Sequence, residues 1–93
     1  MYLVSKLKCY SDELAQKEDY AFQTLEDALN KQKQLVDLYV CDLCDYYDLE
    51  KNSLDLLENE YITVVHNRPR FFCALSFDGE EETQILLTEL AIN

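Results

Sequence analysis

The sequence predicts an α+β fold, an antiparallel sheet of two hairpins with one long amphipathic helix packed across it, in the order ββα(α)ββ plus a C-terminal helix or strand. Three observations predict it. Residues 2–10 and 70–77 alternate apolar and polar residues with the two-residue period of strands. The middle recurs at three- and four-residue intervals, the period of a helix. A chain of 93 residues, 48% of them hydrophobic, can bury one core but not two, since domains centre on roughly 100 to 150 residues. Residues 1–93 are therefore read as a single acidic domain.

Residues 2–10 set Leu3, Leu7 and Cys9 on one side and Lys6 and Lys8 on the other, as a half-buried strand does. Residues 11–16 are polar and turn-like. Residues 17–23 then place Tyr20 and Phe22 on one face, a hairpin partner whose register no Asn-Gly turn fixes. From Thr24 the period changes. Thr24 and Asp27 resemble a capping box, and Leu25, Ala28, Leu29, Gln32, Val36, Tyr39, Val40, Leu43, Tyr46 and Tyr47 follow at helical spacing. Unbroken from Thr24 to Leu49, such a helix would run ~39 Å, so a bend or break is expected between Val40 and Lys51. Asn52-Ser53 can cap a further short turn through Leu54, Leu56 and Leu57.

Residues 60–66 are rich in β-branched and aromatic side chains, and 70–77 alternate Phe71, Cys73, Leu75 and Phe77. Asn67-Arg68-Pro69 is expected to join these strands. Asp78-Gly79 is a hairpin signal, yet Asp78 and Glu81 also read as a cap and an acidic first turn. On that reading residues 80–92 form a C-terminal helix, with a strand as the alternative.

Composition excludes several functions. One Gly and one Pro leave no phosphate-cradling loop, and a formal charge of −11 opposes direct binding to nucleic acid or an anionic membrane. No signal peptide or membrane-spanning run is present, so the expected location is the cytoplasm, with the four cysteines reduced. Cys41-Asp42-Leu43-Cys44 could be a redox dithiol, but the surrounding Asp37, Asp42, Asp45 and Asp48 would raise its thiol pKa. Completed by His66 and Cys73, the pair could instead bind zinc, although C-x-x-C zinc pairs favour tight turns rather than helices. His66 and Cys73 could also form a catalytic dyad. The plainer reading takes the cysteines as small packing residues, expects no cofactor and makes the protein no enzyme. Arg68 and Arg70 could clamp a phosphate or a partner's carboxylate, but the plainer reading takes them as solvated arginines of a turn.

The charge map is uneven. Residues 35–60 hold eight acids against Lys51, a local net charge of −7. On a helical wheel Asp27, Asp37, Asp45 and Asp48 fall opposite the apolar stripe, and the relief that lysines at i+4 usually give is largely missing. Carboxylates one to three turns apart, ~5 to 16 Å, can overlay some phosphates of a nucleic-acid strand, spaced ~3.4 Å along the axis. The candidate partner-binding set is Asp37, Asp42, Asp45, Asp48, Glu50, Asp55 and Glu58 with Tyr46 and Tyr47, since tyrosine brings contact area at little entropic cost. In size, acidity and lack of an enzyme motif the chain resembles the small inhibitors that phages and mobile elements direct at host nucleic-acid machinery, anti-CRISPR proteins among them. The likeness is one of composition. It implies a non-enzymatic inhibitor on the basic nucleic-acid-binding surface of a target protein, probed by the salt dependence of binding. Two alternatives are a homo-oligomeric or scaffold domain contacting through Tyr46, Tyr47, Phe71 and Phe72, and a small zinc protein on Cys41, Cys44, His66 and Cys73.

Overall fold

The computed structural model describes residues 1–11, 13–58 and 60–91. Asp12 of the expected first turn and Ile92 of the expected last element lie outside the described residues. The elements run β1 (Tyr2–Tyr10), β2 (Glu13–Phe22), α1 (Leu25–Tyr46), α2 (Leu54–Glu58), β3 (Ile62–Arg68), β4 (Phe71–Ser76) and β5 (Glu81–Glu89). The strands form one antiparallel sheet in the order β2-β1-β5-β4-β3, with α1 across one face. This is the α+β architecture the sequence predicts. No helix among the described residues is long and apolar enough to cross a membrane.

The last element is a strand, which corrects the expected C-terminal helix. Phe77, Asp78 and Gly79 all have positive φ, at 53°, 57° and 85°. An N-cap residue needs extended backbone, so Asp78 in the left-handed region cannot start a helix. It reverses the chain instead. Residues 81–87 then alternate, with Glu81, Thr83, Ile85 and Leu87 buried. Paired with β1 on one side and β4 on the other, β5 satisfies its own backbone groups and those of two neighbours.

Several boundaries also move: β3 begins at Ile62 rather than at residue 60, and β4 ends at Ser76, which leaves Phe77 in the turn. β2 begins at Glu13 rather than Lys17, and the β3–β4 turn is Pro69-Arg70, with Arg68 paired to Phe71. Pro69 presets its φ for that turn.

α1 starts where expected. Thr24 is extended (φ −114°, ψ 148°), and its Oγ1 accepts the Asp27 backbone N–H at 3.2 Å. The helix stays whole to Tyr46 and stops at Asp48, which adopts φ 56°. The Asp48 N–H donates to the Asp45 carbonyl at 3.2 Å and the Leu49 N–H to the Cys44 carbonyl at 2.9 Å. These paired bonds are a Schellman ending, with aspartate where glycine is usual.

The core lies between α1 and one face of the sheet. Val4, Phe72, Ala74, Ile85 and Leu87 meet Ala28, Leu35, Tyr39 and Leu43, and Phe72 touches Tyr39 edge to face with centroids 5.6 Å apart. Fully burying side chains such as Val4, Phe72 and Ile85 contributes roughly 1.5 to 3 kcal/mol each. Lys8 also points to this side, where its Nζ sits 3.1 Å from the carboxylate of buried Glu81.

Here the strand faces depart from the simple pattern. The alternates Leu3, Leu7 and Cys9 of β1, and Phe71, Cys73 and Leu75 of β4, point away from α1. Val4, Phe72, Ala74 and Ser76 are the ones turned toward it. The register is firm, because Val4 lies opposite Leu87 and Phe72 opposite Ile85. The other face of the sheet therefore carries Leu3, Leu7, Phe71, Leu75 and Leu86 among polar residues, and no helix covers it among the described residues.

Candidate protein-interaction surface

The acidic set follows the second half of α1, its ending and α2. Amphipathic α1 turns Leu35, Tyr39 and Leu43 to the sheet, which leaves Asp37, Asp42 and Asp45 on the solvent side. The Schellman ending then sets Asp48 outward, and Glu50, Asp55 and Glu58 are exposed beyond it. Among the described residues, the ion pairs are Lys8–Glu81 and Lys17–Asp19. Neither involves Asp37, Asp42, Asp45, Asp48, Glu50 or Glu58. The last turn of α1 holds no basic residue, so Asp45 and Asp48 stand at the negative end of the helix dipole.

The loop after α1 is tied back by the two cysteines of the C-x-x-C. Asn52 Nδ2 donates to Cys41 Sγ at 3.4 Å, and the Cys44 thiol donates to the Ser53 carbonyl at 3.8 Å. Cys41 also lies 3.8 Å from Asp45 Oδ2. Desolvation and the charges of Asp45 and Asp42 push the Cys41 thiol up, which suppresses the thiolate that redox chemistry needs. The fold keeps both cysteines as packing and tethering groups.

The zinc candidates are not brought together. Cys41 and Cys44 belong to α1, on one side of the sheet, whereas Cys73 and His66 pair across β3 and β4 on the other. No group of three or more His, Cys, Asp or Glu among the described residues is placed to hold a metal. The Cys73 thiol donates to Glu82 Oε1 at 3.4 Å. Desolvation, then this hydrogen bond and the carboxylate charge, push it up to about 11. The His66 ring stacks on Phe71 at 4.7 Å. At neutral pH Cys73 is therefore a thiol without the activation that a Cys-His nucleophile requires.

Tyr46 and Tyr47 do take part in a surface, though not with the residues expected. Phe72 is buried against Tyr39 and Phe71 lies on the helix-free face, so the contact surface of Tyr46, Tyr47, Phe71 and Phe72 does not exist as one patch. Instead Tyr47 stacks on Tyr61 with centroids 4.2 Å apart, and Tyr46 meets Tyr47 and Phe77 edge to face at 4.9 and 5.4 Å. Tyr46 remains 68% exposed, enough to offer its ring to a partner. These four rings line a groove of about 460 Å³ together with the acids Glu60, Asp78 and Glu80. Desolvation, followed by Tyr46 and Asp78, raises the Tyr47 hydroxyl above its ordinary range, in keeping with the negative field there.

Phe77, Asp78 and Glu80 escaped the sequence reading because they reach the groove from the β4–β5 turn, some thirty residues from Tyr47 in sequence. A signal was present. A phenylalanine directly before Asp-Gly falls in the turn rather than the strand, and its ring must pack beside the reversal. No protein family, curated protein or solved structure matches the chain.

Proposed function

We propose that this chain is a non-enzymatic acidic binding module that inhibits a nucleic-acid-binding protein by occupying its basic surface. One observation carries the reading: the exposed strip from Asp37 to Glu58, in which Asp37, Asp42, Asp45, Asp48, Glu50 and Glu58 meet no cation among the described residues. Asp37 to Asp45 alone span ~12 Å at helical rise, and Asp48 extends the strip past the helix end, long enough to stand in for several phosphates of one strand. Counter-charge on the target's cleft would steer the encounter and exclude the nucleic acid that the cleft normally holds.

Two features favour binding over mere solubility. Asp48 occupies a left-handed position that glycine fills at lower cost, and it adds charge at the negative helix end, so the strip departs from what stability alone would choose. The tyrosine groove beside it suits an arginine side chain from the target, whose planar guanidinium can lie on a ring and pair with Glu60, Asp78 or Glu80. This reading places the protein in the cytoplasm with its target.

The test is binding to the captured target across ionic strength. Affinity falls steeply with added salt, Asp42→Lys with Asp45→Lys slows association by about tenfold, and the protein displaces the target's nucleic acid. Affinity unchanged between low and high salt would sink the reading. Tyr46→Ala separates the groove from the strip. It raises dissociation about tenfold or more while leaving the salt slope in place.

A further inference from the structure

We infer that the helix-free face of the sheet is the interface of a homodimer, in which a second copy of this chain lays the same face against it. This goes beyond the inhibitor reading and does not depend on it. Leu3 and Leu7 of β1, Leu86 of β5, and Phe71 and Leu75 of β4 point to this side. All five are half-buried by their neighbours in the sheet and still reach solvent. The smallest extent of the molecule is 17 Å, the thickness of one sheet and one helix layer, so no third layer covers them among the described residues. Strands apolar on both faces are the pattern of a sheet that is covered twice.

Charge favours a second copy as the cover. The chain carries −11, yet this face holds Lys17 and, at its edge, Arg68 against Asp19 and Glu82. Several of its polar groups are already occupied within the face: Ser5 Oγ donates to Asp19 Oδ1 at 2.6 Å, Lys17 lies 3.8 Å from Asp19, and Gln84 Nε2 donates to Glu82 Oε1 at 2.9 Å. A strongly charged partner finds little here to answer it. In a face-to-face pair the acidic helices would stand on the two outer surfaces, roughly 30 Å apart at ~10 Å per layer, well beyond the ~8 Å Debye length of physiological salt. The like charges of the two copies then oppose pairing only weakly.

Area agrees with this. Five strands at ~4.8 Å spacing and ~20 to 30 Å length give a footprint of about 500 to 700 Å² per copy, at the lower end of the ~600 to 1,000 Å² per partner of a standard stable interface. The same patch on both copies makes a closed two-fold contact, and two sheets packed in this way form a sandwich. Glu82, on central β5, is the one carboxylate near the middle of the patch that has no cation among the described residues. It limits the affinity of the pair.

Sedimentation equilibrium of the full chain, reduced, from about 1 to 500 µM is the measurement. The wild type is expected to dimerise in the micromolar range. Leu7→Lys should weaken association at least tenfold, and Glu82→Gln, which removes the charge but keeps an acceptor for Gln84 and Cys73, should strengthen it severalfold. Asp42→Lys on the helix side should leave it unchanged. Circular dichroism confirms that each variant is folded. A monomer at every concentration in both the wild type and Glu82→Gln overturns the proposal, and so does a dimer that Leu7→Lys leaves intact.

Discussion

Asp48 shows how one residue can sit against local preference. A left-handed backbone costs a non-glycine residue roughly 1 kcal/mol, and the helix dipole adds a few tenths against an acid at that end. Asp48→Gly should therefore stabilise the fold by about 1 kcal/mol in urea denaturation while weakening binding to a basic target. Tyr39 makes the opposite case. Its hydroxyl is buried close to Ser76 Oγ, yet neither oxygen completes a hydrogen bond of ordinary geometry. Desolvation pushes the Tyr39 pKa up to about 12 from 10.0. Folding thus favours the protonated phenol: its stabilisation is whole below pH 10 and is lost as pH rises through 12. Tyr39→Phe removes a hydroxyl that pairs with nothing, so it should keep or raise stability by up to ~1 kcal/mol at pH 7 and flatten the alkaline unfolding curve between those values. A phenylalanine variant that unfolds at the same alkaline pH as the wild type would refute this.

Among the elements, α1 was legible from sequence and β5 was not. The helix announces itself by Thr24 and Asp27 at one end and an apolar stripe along its length, all local signals. β5 opens with acids, which read locally as the first turn of a helix, and only its place between β1 and β4 makes Glu81–Glu89 extended. Buried Glu81 is tolerated because Lys8, from a strand at the far end of the sequence, reaches it. The faces of β1 and β4 were hidden for a related reason. Alternation gives the period of a strand but not which side meets the helix, and in both strands each side carries apolar residues. The two sides should respond unequally to truncation. Ile85→Ala, which opens a cavity under α1, should cost about 2 to 4 kcal/mol, whereas Leu86→Ala on the helix-free face should cost about 1 kcal/mol in the monomer. Equal losses in chemical denaturation would contradict the assignment of faces.

At the scale of the whole molecule, the chain is flat rather than round. Its radius of gyration is 13.8 Å, against about 12 Å for a compact chain of this length, and its extents are 46 × 29 × 17 Å. Flatness separates the surfaces: the acidic strip lies on the helix side, the tyrosine groove beside its end, and the apolar sheet face on the reverse. A target bound on one side leaves the other open to a second copy. At this scale the prediction is that the two contacts are independent, so Leu7→Lys should weaken dimerisation at least tenfold and leave salt-sensitive target binding within about twofold. The sequence by itself determined the α+β class, the long helix, the concentration of acids between residues 35 and 60, and the poor setting of the cysteines for redox work. Each of these follows from composition or from neighbours a few positions apart. Only the tertiary structure decided that the last element is a strand, that His66 and Cys73 lie across the sheet from Cys41 and Cys44, that Phe77 and Asp78 join the tyrosines, and which side of the sheet stays bare. Those outcomes depend on pairings between residues tens of positions apart, which local periodicity does not encode.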